Sequence, residues 1–290
     1  MRPGAVAEQS AEVADPRPRR WRVVPGRVRS GSAEKICLWV VALLTVLLPI
    51  AARLMPAGET EIVGVPFTAP GAGHLLGTDD QGRDVLSRVV IGLSASWWGA
   101  IAVIASGVVI GAVIGTVAGM SGRFVDTVLM RLTDAFLALP GPLVALLVVA
   151  ALGPSFRNVL IAVIVTWWPW YARIVRGQVR VLRRLPHVDA ARSAGFSTFR
   201  VVTRHVFPGV LRSVVVVASM DVGAVLLVLA GLSFVGLGAP PPAAEIGSMA
   251  AAGFTYVFSA PWVALAPAGV LFAVAMISNF AGDAVQERMG

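Results

Sequence analysis

The chain has 290 residues, 57% of them hydrophobic and 14% charged, with a mean hydropathy of +0.79. Soluble domains carry about 25% charged residues, so this composition excludes an ordinary soluble enzyme. The formal charge of +8 therefore reads as membrane topology rather than as a nucleic-acid surface, and the single cysteine, Cys37, excludes an intrachain disulfide or a cysteine metal cluster.

Residues 1–35 form a basic tail rich in Pro and Arg, too polar to bury a core and expected to be disordered in the cytoplasm. The apolar run 36–56 predicts a first, uncleaved membrane helix, since about 20 apolar residues span a bilayer. An extracytoplasmic segment follows over 57–90, carrying Glu59, Glu61, Asp79, Asp80 and Asp84. Asp79, Asp80 and Asp84 are expected to cap a helix or pair with Arg83 and Arg88 rather than to hold a cation, which needs several converging oxygens.

A core of five further helices is expected over 91–282. Its first span, 91–119, contains Gly107, Gly111, Gly115 and Gly119, whose spacing of four puts them on one helix face for close packing. A short amphipathic linker over 120–134 leads to a span at about 135–153, with Pro140 and Pro142 near its start. The next span, about 158–173, ends in Trp167, Trp168, Trp170 and Tyr171, read as residues of the membrane–water interface. A basic cytoplasmic loop occupies 173–208. Two last spans, about 210–232 and 262–281, flank an extracytoplasmic segment 233–261 in which Glu245 faces either a partner or water, and 283–290 is a cytoplasmic end. Of the basic residues only Arg53, Arg83, Arg88 and Arg157 then fall outside, so the positive-inside rule favours six spans with both termini in the cytoplasm.

Four positions or groups hold chemistry to weigh. Asp221 lies near the middle of the fifth span, where a carboxylate either lines a path or is packed against a hydrogen-bond donor. His74, His187 and His205 lack metal-ligand spacing, so no metal site is expected. The residue directly before the only lysine, Lys35, is Glu34 and not glycine, which excludes a phosphate-binding loop; a driving nucleotide must sit on another subunit. Loop 173–208 combines arginines at helical spacing with the small residues Ala190, Ala191 and Gly195, and composition alone leaves open whether it docks a partner or only fixes topology.

Here Asp189-Ala190-Ala191, then Gly195, nine residues, and His205-Val206-Phe207-Pro208 resembles the E-A-A-x3-G-x9-I-x-L-P loop of ABC importer permeases, with Asp, His and Phe departing from the pattern. His74 to Arg88 is similar to H-x-L-G-T-D-x-x-G-R-D-x-x-S-R of the oligopeptide and dipeptide branch. Trp168 to Arg176 is similar to W-x-x-Y-A-R-x-x-R, Leu232 to Gly238 to L-S-F-L-G-L-G, and Asn279 to Asp283 to N-x-x-G-D. The matches run in order from residue 74 to the end and most resemble the C-type subunit of that branch.

The resemblance implies an all-α membrane protein of the type I importer permease (MetI-like) fold that moves oligopeptides or dipeptides by alternating access. It implies a coupling loop of Asp189, Ala190, Ala191, Gly195, His205 and Pro208 that docks on an ATPase, a larger side chain at Gly195 holding the helix out of its groove. Implied partners are a homologous B-type permease, two cytoplasmic ATPase subunits or domains, an extracytoplasmic binding protein and membrane lipid, with no nucleic acid. The chain itself would bind no cofactor and do no covalent chemistry, ATP and Mg residing on the partner subunits. The alternative from another class is a secondary transporter or channel that relays ions through Asp221.

Overall fold

The structure is a computed structural model that describes residues 32–289; the expected tail, up to residue 31, lies outside the described residues. Helix α1, Ser32–Leu54, exposes Trp39, Leu43, Val46 and Ile50, an apolar surface suited to lipid. Helix α2, Val85–Met120, begins six residues before the expected 91 because Asp84 caps it, its carboxylate accepting from the Ser87 N–H at 2.8 Å. At 36 residues it is about 54 Å long, well beyond a hydrocarbon layer of about 30 Å.

The segment expected as a linker is helix α3, Arg123–Ala138, and the third span is broken: α3 meets α4, Gly141–Leu152, at 88°. Pro140 accounts for the break, because a residue before proline is forced out of the helical region and Leu139 is extended (φ −87°, ψ 134°). With 12 residues, α4 reaches about 18 Å and cannot cross alone. Among the described residues five helices are long and apolar enough to span, or six if the bent pair is one crossing.

Helix α5, Phe156–Leu182, starts at the Ser155 cap and runs nine residues past its expected end at 173. The residues taken for a basic loop stay helical because their charges are met by side chains and carbonyls of other helices. Arg173 donates to Asp134 at 2.6 Å, Arg176 forks onto both oxygens of buried Asp126, Arg180 reaches the same carboxylate at 2.6 Å, and Arg183 donates to the Gly119 carbonyl at 2.6 Å. These bonds tie the C-terminal end of α2 and the helix α3 to α5. Asp126→Ala removes the shared acceptor from two guanidiniums that still reach solvent. The expected cost is about 2 kcal/mol, read as a lower melting temperature in detergent, with Asp126→Asn falling between.

The chain continues through α6, Pro186–Ser193, α7, Thr198–Val201, a π turn Val202–Val206, α8, Phe207–Phe234, α9, Ile246–Phe254, and α10, Pro261–Met289. Two expectations change here: α7, the π turn and α8 form one unbroken helical run from Thr198 rather than a loop up to 208, and the C-terminal residues are helical through Met289. Two glycine-mediated interfaces order the core. Gly107, Gly111, Gly115 and Gly119 let α2 lie against α5, a Cβ at Gly111 falling 2.5 Å from Tyr171 Cβ. Gly223 and Gly282 do the same for α8 and α10, where added Cβ atoms would meet Asn279 at 2.7 Å and Met220 at 2.8 Å.

The segment 57–90, expected outside the membrane, folds on α9 and the loop before it. Asp79 accepts from Arg83 Nε at 2.7 Å and pairs with Arg88 at 3.5 Å. Arg88 also donates to the carbonyls of Glu59 and of Pro242, the latter at 3.1 Å, so one guanidinium joins both outer segments. Glu245 is not exposed to a partner or to water: it is buried, caps α9 through the Gly247 and Ser248 N–H groups at 3.0 and 2.9 Å, and accepts from Ser96 at 3.3 Å. These carboxylates are structural fasteners.

Candidate functional site

Pro186 occupies the first turn of α6, where its missing N–H costs nothing, and holds Leu185 extended before it. Val188 and Ala191 turn inward and are buried, while Asp189, Ala190, Arg192 and Ser193 face out. Asp189 and Arg192 lie 3.6 Å apart as an exposed pair, a contact worth little by itself. The four residues grouped by the sequence therefore divide: Asp189, Ala190 and Gly195 present a surface, and Ala191 fastens α6 from behind.

Gly195 ends the helix for a backbone reason. Its φ of +80° is left-handed, the Gly195 N–H donates to the Arg192 carbonyl at 2.9 Å, and the Phe196 N–H donates to the Ala191 carbonyl at 3.2 Å. This pair of bonds is a Schellman C-cap, which favours glycine because a Cβ is strained there. Among the described residues, nothing beyond its immediate chain neighbours lies within 4 Å of a Cβ placed at Gly195, so the space beside it is open to a partner.

Beyond the cap the chain exposes two aromatic rings that the sequence reading did not single out. Phe196 is 41% and Phe199 79% exposed, and the Arg200 guanidinium stands 5.2 Å over the Phe196 ring. Large rings among Arg192, Arg200 and Arg204 suit a protein partner better than lipid tails, and their position directly after the glycine was the signal available. His205 and Pro208 are placed differently. The His205 ring stacks toward Phe196 at 6.2 Å and keeps Nε2 buried, while Pro208 is exposed in the first turn of α8.

Asp221 belongs to a separate cluster inside the membrane part. Its Oδ2 accepts from the Tyr171 hydroxyl at 2.7 Å and from Trp167 Nε1 at 3.1 Å, both on α5. The aromatic run is thus not simply an interface belt. Tyr171 is fully buried, Trp168 is buried with an edge contact to Phe136 at 5.4 Å, and of the four only Trp170 is exposed, at 51%. Trp167 and Tyr171 are spaced i, i+4, which places them on one face of α5 and was the readable sign of a shared partner. Among the described residues no group of three or more His, Cys, Asp or Glu is arranged to hold a metal ion.

Residues 107–290 match the family described as binding-protein-dependent transport system inner membrane component. A putative peptide transport system permease protein of Brucella suis is 39% identical over 261 residues, covering 90% of this chain and 87% of the relative. A probable D,D-dipeptide transport system permease protein of Escherichia coli is 36% identical over 220 residues, covering 76% and 74% of the two chains. The nickel transport system permease protein of Escherichia coli is 34% identical over 257 residues, covering 88% and 92%. Among solved structures, an inward-facing form of the MetNI methionine ABC transporter aligns with a TM-score of 0.55 at 17% identity, covering 71% of this chain and 97% of that one. At that identity the likeness concerns the fold alone.

Proposed function

This chain belongs to the family of inner-membrane components of binding-protein-dependent transport systems, and from that premise we propose that it carries short peptides inward with α6 as its lever. As a permease of an ABC importer in the bacterial inner membrane it works with a substrate-binding protein and an ATPase; a self-contained secondary transporter finds no support. In this reading the other half of the pathway is a B-type permease, and ATP and Mg sit on the cytoplasmic subunits. The chain itself supplies conduit and lever and makes or breaks no covalent bond.

The observation that carries the reading is the outward face of α6. Asp189 and Ala190 present a small, low surface, Gly195 turns the chain away without a side chain, and Phe196 and Phe199 offer apolar anchors beside arginines. Such a surface fits a groove with acidic walls. Because α5 leads directly into α6 and is bonded to α2 and α3, displacement of α6 is passed to three helices. Nucleotide shifts the transporter between states only as far as it binds one state more tightly.

Asp221 is proposed as a fastener between α5 and α8 rather than a carrier of charge. Asn retains an oxygen that accepts both bonds, whereas Ala retains none. Asp221→Asn is expected to transport near the wild-type rate, and Asp221→Ala to lose about thirtyfold, the scale of two buried hydrogen bonds. Loss of uptake in Asp221→Asn, or a changed pH response, would return the carboxylate to the transport path.

The test of substrate class is uptake by the complete complex in proteoliposomes containing internal ATP, offered labelled di- and oligopeptides or nickel. Saturable, ATP-dependent peptide accumulation is expected. Nickel accumulation without peptide uptake would reassign the cargo.

A further inference from the structure

Pro208 sits inside one continuous helical run, Thr198–Phe234, and should disturb it. It donates no N–H, and its ring crowds the carbonyl four residues back, that of Arg204. The helix does not break there. It widens instead: the Phe207 N–H donates to the Val202 carbonyl, five residues back, and Val202–Val206 form a π turn holding one residue more than an α turn. Such single turns within helices are frequent at functional positions.

His205 lies in this turn. Its ring faces Phe196 at 6.2 Å and His187 of α6 at 6.3 Å between ring centroids. Nε2 is buried and has no hydrogen-bond partner among the described residues, an arrangement that costs free energy and calls for an explanation. Little holds α7 in its present register, because only Val201 of its four residues is buried.

We propose that the π turn is a joint with two settings between α6 and α8, and that His205 Nε2 bonds His187 in the setting opposite to the one seen here. Neutral imidazole offers one donor and one acceptor nitrogen, so the two rings can pair directly. Closing the turn to α geometry moves α7 by one residue relative to α8, about 1.5 Å along the axis and about 100° around it. The joint thereby turns displacement of α6 into rotation against α8. His205 acts here as a positioning residue. The inference rests on the reading that α6 docks on the ATPase.

The test is made in the reconstituted complex of both permeases, ATPase and binding protein. His205→Phe keeps a ring without nitrogen, whereas His205→Gln keeps a polar atom near the place of Nε2. His205→Phe should lower both uptake and the binding-protein-stimulated part of ATP hydrolysis by about tenfold, the scale of one buried hydrogen bond. His205→Gln should recover most of both. His187→Phe should reproduce His205→Phe, and the double variant should be no worse than either single one, as for two members of one contact. Wild-type uptake by His205→Phe, or equal loss in His205→Phe and His205→Gln, overturns the proposal.

A second variant covers the case in which His205→Phe does not insert. Pro208→Ala removes the cause of the wide turn and should raise ATP hydrolysis measured without binding protein; an unchanged rate overturns the joint. Gly195→Arg separates the two levels of the argument. If it blocks uptake while His205→Phe runs at the wild-type rate, the joint fails and docking stands. If Gly195→Arg itself is without effect, the docking reading fails.

Discussion

Gly111→Leu is expected to leave little folded chain in the membrane. A Cβ at Gly111 would stand 2.5 Å from Tyr171 Cβ, 2.8 Å from the Ala172 nitrogen and 2.9 Å from the Trp168 carbonyl oxygen. Two of those atoms are backbone and cannot swing aside, so α2 and α5 would have to separate along their whole contact. Even Gly111→Ala should cost about 3 kcal/mol, the upper range for overpacking. Gly115→Ala should behave alike, since its Cβ meets the Ala172 carbonyl oxygen at 2.5 Å. Gly107→Ala should be nearly silent, because the nearest atom is Tyr171 Cδ2 at 3.4 Å. Thermal unfolding of detergent-solubilised protein reads the gradient. Equal melting temperatures for the Gly107 and Gly111 alanine variants would contradict the packing described.

The second large effect is functional. Gly195→Arg should reduce ATP-driven uptake by about thirtyfold or more, the loss that follows removal of a central docking contact, while insertion and assembly of the membrane part persist. Two causes act together, and they can be separated. The first is local: at φ +80° any L residue is strained, by about 1–2 kcal/mol. The second is external, because among the described residues the space beside Gly195 is open and a long side chain there would project toward a docked partner. Asn tolerates the left-handed region and projects little. Gly195→Asn should therefore transport far better than Gly195→Arg. Equal loss in both would assign the effect to the helix cap, and normal uptake by Gly195→Arg would remove α6 from the docking surface.

The long apolar runs were legible because hydropathy over twenty residues depends on composition rather than on partners. What escaped depends on contacts between residues distant in sequence. The arginines of α5 look like a solvated loop until Asp126 and Asp134 are seen beside them. Glu245 looks like an outward-facing acid until the amides of its own helix enclose it. Pro140 stands near the start of the expected third span, yet the apolar residues on either side of it conceal an 88° bend from any averaged measure.

The candidate site was legible to a similar degree. The pattern Asp189-Ala190-Ala191 with Gly195 was plain, but its spacing could not tell the exposed Ala190 from the buried Ala191. Nor could it give the left-handed turn that requires glycine. Phe196 and Phe199 follow the glycine, but only the fold shows that their rings stay exposed, because an apolar chain holds many aromatic residues that are buried. The partners of Asp221 required knowing that α5 lies against α8, which no local pattern expresses.

The central claim is that this chain is the membrane lever of a larger ATP-driven complex. The most direct measurement is purification of the native chain in mild detergent, followed by mass spectrometry of everything that accompanies it. Recovery with a second, related permease and an ATPase, abolished for the ATPase by Gly195→Arg, is the predicted result. Recovery of the chain alone, or as an oligomer of itself without ATPase, would contradict it.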